Sequence, residues 1–180
     1  MEKQTESIVL GGGCFWCLDA GFRLIRGVLN VSSGFAGGHT VNPTYYDVVD
    51  GATGHAEVVK VSFDTNVILL NDILDIFWTM HNPTTLNRQG HDVGSQYRSI
   101  ILFNNQEQEK IINESIESIS KYWNDPITTE VSKLKEFYKA EEEHQNFFQK
   151  HPDMAYCQVI INPKLNRLRE KFESKLDKKL

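Results

Sequence analysis

Three consecutive glycines, Gly11 to Gly13, lie between a short apolar run and the tetrapeptide Cys14-Phe15-Trp16-Cys17. Few local structures accommodate that order. Ile8 to Leu10 reads as a buried strand. Glycines interrupt regular structure and, having no Cβ, let the backbone pass close to other groups. Leu18 to Ile25 has helical spacing, with Leu18, Gly21, Phe22 and Ile25 on one face. The reading is strand, tight turn, helix, with Cys14 in the first helical turn. Unpaired N–H groups and the positive end of the helix dipole stabilise an anion there, and a thiolate is one. A free cysteine has a pKa of roughly 8.5, and a helix start is expected to lower it. Many free cysteines are small buried core residues; the glycine turn and helix start make Cys14 the candidate nucleophile instead.

The chain has 180 residues and a net charge of −5. That length fits one catalytic domain, 1–180, with a sizeable core. The acidic balance argues against a nucleic-acid partner. No apolar run approaches the roughly 18 residues of a membrane helix. The first residues, Met1 to Glu6, lack the apolar core of a signal peptide, so a cytoplasmic location is the expectation. Three cysteines in a reducing compartment do not make a disulfide framework. They act as core, as metal ligands or in redox chemistry.

Further along, Gly27 to Gly38, with Val28, Leu29, Val31 and Phe35, reads as a strand running into a glycine-rich turn at Gly34 to Gly38, and Thr44 as the cap of a short helix carrying Tyr45, Tyr46, Val48 and Val49. Ala56 to Phe63 is a strand whose alternation puts Glu57 on the same face as Val59, Val61 and Phe63. A charged, unpaired carboxylate there costs several kcal/mol, so Glu57 pairs, with Lys60 or Arg98 as candidates, or takes a proton. Leu69 to His81 is an amphipathic helix stopped before Pro83, and 82–96 a long loop. Then come a strand at Tyr97–Phe103, a helix at Asn104–Trp123 and a short strand at Ile127–Val131. Helical spacing covers Leu134–His151, whose acidic run Glu141 to Glu143 reads as a solvated face. Ala155–Ile161 reads as extended, and Lys164–Leu180 as a basic amphipathic helix. Alternating strands and helices indicate an α/β domain. The first six elements, β-α-β-β-α-β, match a ferredoxin-like order.

The Cys-x-x-Cys pattern admits several chemistries. Zinc lacks a second ligand pair, because Cys157 stands alone. A thioredoxin-like dithiol fits the strand-turn-helix context. Two bulky aromatics between the cysteines suit a pocket for a methyl or thioether group better, since sulfur–ring contacts are favourable by about 0.3–1.5 kcal/mol. A non-catalytic reader of such groups is a further alternative.

Gly12-Gly13-Cys14-Phe15-Trp16 is similar to the signature of the A-type peptide-methionine sulfoxide reductases. Asn42-Pro43-Thr44-Tyr45, Thr53 to Val59, Asp92 to Ser99, Ala140-Glu141 with His144-Gln145, and Tyr156-Cys157 also resemble family blocks, in family order. They span about 140 residues of the chain. The resemblance implies an α/β (α+β) fold with a ferredoxin-like two-layer sandwich core and added C-terminal helical and coil segments. It implies an oxidoreductase for protein repair under oxidative stress. Cys14 attacks the sulfur of methionine S-sulfoxide, free or in proteins. Glu57, its pKa raised by burial and like charge, protonates the oxygen. Tyr45 and Tyr97 hydrogen-bond that oxygen, Asp92 supports them, and Phe15 and Trp16 hold the S-methyl group. Methionine leaves and Cys14 becomes a sulfenic acid. A second cysteine condenses with it and thioredoxin or another dithiol restores the thiols. No bound cofactor or metal, no nucleic-acid or membrane partner and a monomeric state are expected. His55 reads as structural and His144 as a helix-surface or supporting residue.

The chain departs from the family pattern in having Cys17 where many members have Gly, and it lacks the Gly-rich tail of some relatives. Cys157, in a segment read as flexible enough to move, is the expected resolving residue, with Cys17 as the alternative. Two substitutions separate the readings. Cys14→Ser abolishes sulfoxide reduction but spares binding by a reader. Glu57→Gln cripples a reductase and leaves a dithiol exchanger nearly untouched, as turnover of methionine sulfoxide against turnover of a model disulfide will measure.

Overall fold

A computed structural model describes residues 4–178. The chain runs β1 (Thr5–Gly11), α1 (Phe15–Arg23), β2 (Val28–Ala36), α2 (Tyr45–Val49), β3 (Ala56–Asp64), α3 (Leu70–Met80), β4 (Arg88–Gln89), β5 (Asp92–Val93), β6 (Ile100–Phe103), α4 (Gln106–Ser120), β7 (Glu130–Lys133), β8 (Phe137–Lys139), α5 (Phe147–Lys150) and α6 (Asn162–Lys171). It is a mixed α/β fold. Six strands form one sheet in the order β7-β6-β1-β3-β2-β8, and β4 and β5 form a separate hairpin. All pairings in the large sheet are antiparallel except β6 with β7.

Alternation in the central strands sorts side chains to two sides. Ile8, Leu10, Val59, Val61 and Phe63 join Leu18 and Phe22 of α1 and Ile73 and Phe77 of α3 in the larger core. Val9, Ala56, Val58, Ile100 and Leu102 form a second cluster, covered by Leu134 and Phe137. Among the described residues, no helix is long and apolar enough to cross a membrane.

The β1–β3 register positions the chemistry. Leu10 pairs with Val59, so Glu57 is level with Gly12, where the chain leaves the sheet to start α1. All three glycines are required there: a Cβ on Gly11 would sit 2.9 Å from the Glu57 carbonyl oxygen. A Cβ on Gly12 would sit 2.8 Å from the His81 ring, and Gly13 has φ +89°. The His81 ring is fixed by Phe77 O and Ser99 Oγ, each at 2.8 Å, so it cannot yield.

Several sequence expectations change here. Leu134–His151 is not a helix: Phe137–Lys139 pairs with the free edge of β2, and a 3-10 turn at Glu142–His144 and the short α5 follow. Pairing to an open sheet edge outweighs local helical spacing. Gln145 extends that edge with its side-chain amide, which accepts from Ser33 N and donates to Ser33 O, both at 2.9 Å. The 155–161 segment is not extended; Cys157–Ile161 is a π-helical turn leading into α6. The C-terminal helix ends at Lys171, after which a 3-10 turn at Glu173–Lys175 brings Leu176 back to a bridge with Ile25. The 82–96 loop contains the β4–β5 hairpin. The Thr44 cap stands as read, with Thr44 and Asp47 in a reciprocal capping box.

Gly12→Ala is expected to destabilise the fold by about 1–3 kcal/mol, the usual cost of overpacking. Urea denaturation with an unchanged m-value will measure it.

Candidate active site

Cys14 is the N-cap of α1, with φ −61° and ψ 129°. Its side chain makes no capping bond. Glu57 takes that role: its Oε1 accepts the Phe15 N–H at 3.2 Å. The acid therefore reaches across from β3 to the helix start beside the sulfur. Neither of its expected partners is there. Arg98 pairs with Glu130 at 3.2 Å, and Lys60 lies over the Phe137 ring. Glu57 is 1% exposed, and its second oxygen, Oε2, has no hydrogen-bond partner. Burial pushes its pKa up to about 8; the Phe15 amide holds it down and the charge of Asp92 adds to the rise. At neutral pH Glu57 carries its proton.

The thiol does not behave as the helix start alone predicts. Burial raises the Cys14 pKa well above the ordinary value, and the charges of Glu57 and Cys17 add to it. The Trp16 amide and the Tyr156 hydroxyl pull the other way without prevailing. Helix-end stabilisation is typically 0.3–1 kcal/mol, less than the desolvation of a buried thiolate. At rest the site thus holds two neutral groups, a thiol and a carboxylic acid, and Cys14 is 9% exposed.

Two phenols face this pair. Tyr45, in the first turn of α2, has its pKa pushed up to about 12 by burial and by the charge of Glu57 and Cys14. Tyr97, ending a 3-10 turn at Ser95–Tyr97, is pushed up by burial and by Glu57 and Asp92. Both remain O–H donors at any physiological pH. The Tyr97 carbonyl also accepts from the Gly13 N–H at 3.2 Å, tying this turn to the glycine turn. Asp92, on β5, is half-buried and accepts the Tyr156 O–H at 3.1 Å.

The aromatic wall is larger than the sequence suggested. Phe15 is fully buried behind the thiol, against Phe35, Tyr45 and His144. Trp16 stacks on Phe147 with centroids 3.7 Å apart and meets the edge of Tyr156. His144 is not on a helix surface: it is buried and stacked 4.3 Å from Tyr45. Trp16 Nε1 and both His144 nitrogens are buried without hydrogen-bond partners. His55 is structural, accepting from Gly38 N at 2.9 Å and contacting Thr40 O at 2.7 Å. The acidic run is exposed, as expected, though Glu141 Oε1 accepts from Tyr45 N.

Sequence reasoning gave no role to Tyr156, Phe147 or Lys164. Only the Tyr156-Cys157 and His144-Gln145 pairs carried a signal. The Tyr156 hydroxyl lies 4.0 Å from Cys17 Sγ, and Lys164 Nζ donates to Cys17 Sγ at 3.7 Å. Cys17 is one helical turn from Cys14, with its N–H bonded to Cys14 O at 3.2 Å. Cys157 is wholly buried in the π-helical turn, where burial raises its pKa. All three cysteines are free thiols. No group of three or more His, Cys, Asp or Glu that could hold a metal occurs among the described residues.

A thiol beside a protonated acid, near two phenols and against an aromatic wall, is the arrangement of a thiol-based oxidoreductase. The sequence profile of the family described as peptide methionine sulfoxide reductase matches residues 6–176, and the chain belongs to that family. It is 54% identical over 169 residues to peptide methionine sulfoxide reductase MsrA of Paenarthrobacter aurescens, covering 94% of this chain and 97% of that one. It resembles the crystal structure of Mxr1 from Saccharomyces cerevisiae in reduced form (TM-score 0.82, 33% identity, 86% and 90% of the two chains). It also resembles methionine sulfoxide reductase A of Corynebacterium diphtheriae (TM-score 0.75, 36% identity, 82% and 76%).

Removing the Glu57 charge makes Cys14 easier to ionise. Glu57→Gln is therefore expected to lower the apparent pKa of Cys14, read as the midpoint of the iodoacetamide alkylation rate against pH in a variant retaining only that cysteine.

Proposed function

We propose that Cys14 reduces methionine S-sulfoxide, free or in proteins, with Glu57 as the general acid. The neutral Glu57 carboxyl with a free, buried Oε2 beside Cys14 is the observation that carries this reading. A sulfoxide sulfur is a poor electrophile until its oxygen is protonated. Glu57 donates that proton as the Cys14 sulfur attacks, and the proton lost by the thiol restores the acid. Tyr45 and Tyr97 donate hydrogen bonds to the oxygen as charge grows on it. Asp92 holds the Tyr156 hydroxyl at the edge of the site. Phe15 backs the pocket, and Trp16 with His144 and Phe147 walls the S-methyl group. Oxygen ends on Cys14 as the sulfenic acid, and methionine departs.

Two thiols are candidates for the next step, and we assign it to Cys17 rather than to Cys157. Cys17 is one helical turn from Cys14, with its N–H on Cys14 O, whereas Cys157 is wholly buried in a π-helical turn. Condensation forms the Cys14–Cys17 bond and releases water. Mxr1 has also been solved in complex with Trx2, and we assign thioredoxin or another dithiol as reductant, with no bound cofactor. The wider reading is a monomeric, cytoplasmic repair enzyme acting as one domain over 1–180. Its core is ferredoxin-like, a reading supported by the strand order β6-β1-β3-β2 with α1 and α3 packed on one face.

The sign of the pH dependence follows from Glu57. Its proton is present below a pKa of about 8 and lost above it. Single-turnover reduction is expected to fall as pH rises through about 8, with Glu57→Gln slower by at least about 100-fold, the lower end for general acids. Mass spectrometry after one turnover without reductant is expected to find Cys14 joined to Cys17; a bond to Cys157 transfers the resolving role there.

A further inference from the structure

Cys17 lies between two polar neighbours, of which the Tyr156 hydroxyl also acts on Cys14. One is the Tyr156 hydroxyl, 4.0 Å from its sulfur; the other is the Lys164 ammonium, which donates to it at 3.7 Å. Lys164 is half-buried and, among the described residues, has no carboxylate within ion-pair distance. It sits in the first turn of α6, just after Pro163. Its ammonium is directed at the Cys17 sulfur.

Accessibility divides the two sulfurs of the disulfide. Cys14 is 9% exposed and Cys17 is 0% exposed. Of the two residues only Cys14 has any exposure, so attack by an incoming thiolate falls on Cys14 and makes Cys17 the leaving sulfur. It is also the attacking sulfur during resolution. The same atom carries negative charge in both steps.

We propose that Lys164 is the cation that stabilises negative charge on the Cys17 sulfur as it develops in both halves of the redox cycle. In resolution the Cys17 thiolate attacks the Cys14 sulfenic acid, the sulfur–sulfur bond forms, and hydroxide leaves and takes a proton to become water. In reduction a dithiol's thiolate attacks Cys14, the bond to Cys17 breaks, and Cys17 departs as thiolate toward Lys164. The dithiol's second thiol then releases Cys14, and the dithiol is oxidised to its disulfide. Burial is the largest influence and raises the Cys17 pKa above its ordinary value; Lys164 and the Tyr156 hydroxyl pull it down, and Asp92 adds to the rise. Cys14 faces it from α1, and His81 at the end of α3 also feels the Lys164 charge. Lys164 is thus a positioning and charge-supplying residue acting through Cys17.

The inference rests on Cys17 being the resolving residue, and the experiment separates the two ideas. Full-length protein and its Lys164→Gln and Lys164→Arg variants are mixed with methionine sulfoxide in one turnover. Oxygen transfer is followed as methionine formed, resolution as thiols lost, and reduction by adding dithiothreitol. With Lys164→Gln, resolution slows relative to oxygen transfer by about threefold for each unit by which the Cys17 pKa rises, because the lost thiolate fraction outweighs the gain in nucleophilicity. The pH midpoint of resolution moves up, dithiothreitol reduction also slows, and Lys164→Arg restores both. An unchanged rate and midpoint in Lys164→Gln overturns the proposal. So does slowing in both variants with an unshifted midpoint, which marks packing alone. A wild-type product with no Cys14–Cys17 bond instead overturns the assignment of Cys17 and removes the basis for Lys164.

Discussion

One hydrogen bond organises the centre of this protein: the Glu57 carboxyl accepting the Phe15 amide, at 3.2 Å and out of contact with water. It joins β3 to the first residue of α1. It supplies the cap that Cys14, the N-cap residue, does not provide itself. A helix start with a side-chain acceptor is normally stabilised by about 1 kcal/mol. Here the acceptor comes from a neighbouring strand, so the helix end, the sheet and the acid are set by one contact. The sulfur is left unengaged as a cap, beside a carboxyl whose other oxygen has no partner.

That contact exists only because the backbone can come so close. The β1–β3 register sets Glu57 level with the glycines, and any larger residue at position 12 would strike the His81 ring. Burial that follows from this closeness then governs the chemistry. It keeps the acid protonated and the thiol un-ionised. A resting site with both protons in place is less open to stray oxidation than a standing thiolate, because oxidation follows thiolate character and exposure.

The C-terminal third completes the wall. Phe147 stacks on Trp16, His144 on Tyr45, and the Tyr156 hydroxyl bridges Asp92 and the sulfurs of α1. These residues arrive through a 3-10 turn, a four-residue helix and a π-helical turn, none of which has a strong periodic signature. This explains why the reading of 134–161 as one helix and an extended segment failed. The same reading placed β1, α1, β2, α2, β3 and α3 with small shifts, because β1, β2, β3 and α3 are each marked by an apolar run or stripe.

Glu57 among Val59, Val61 and Phe63, the glycine turn before Cys14, and the Thr44 cap were all legible as local pattern. Alternation, glycine content and capping chemistry act over a few residues, so the order of residues determined them. The ionisation state of Cys14, the absence of a partner for Glu57 Oε2, and the meeting of Cys17 with Tyr156 and Lys164 were decided only by tertiary structure. Lys164 is 147 residues from Cys17 in the chain. Burial and charge are sums over everything that packs around a group, and no segment of the sequence contains that sum.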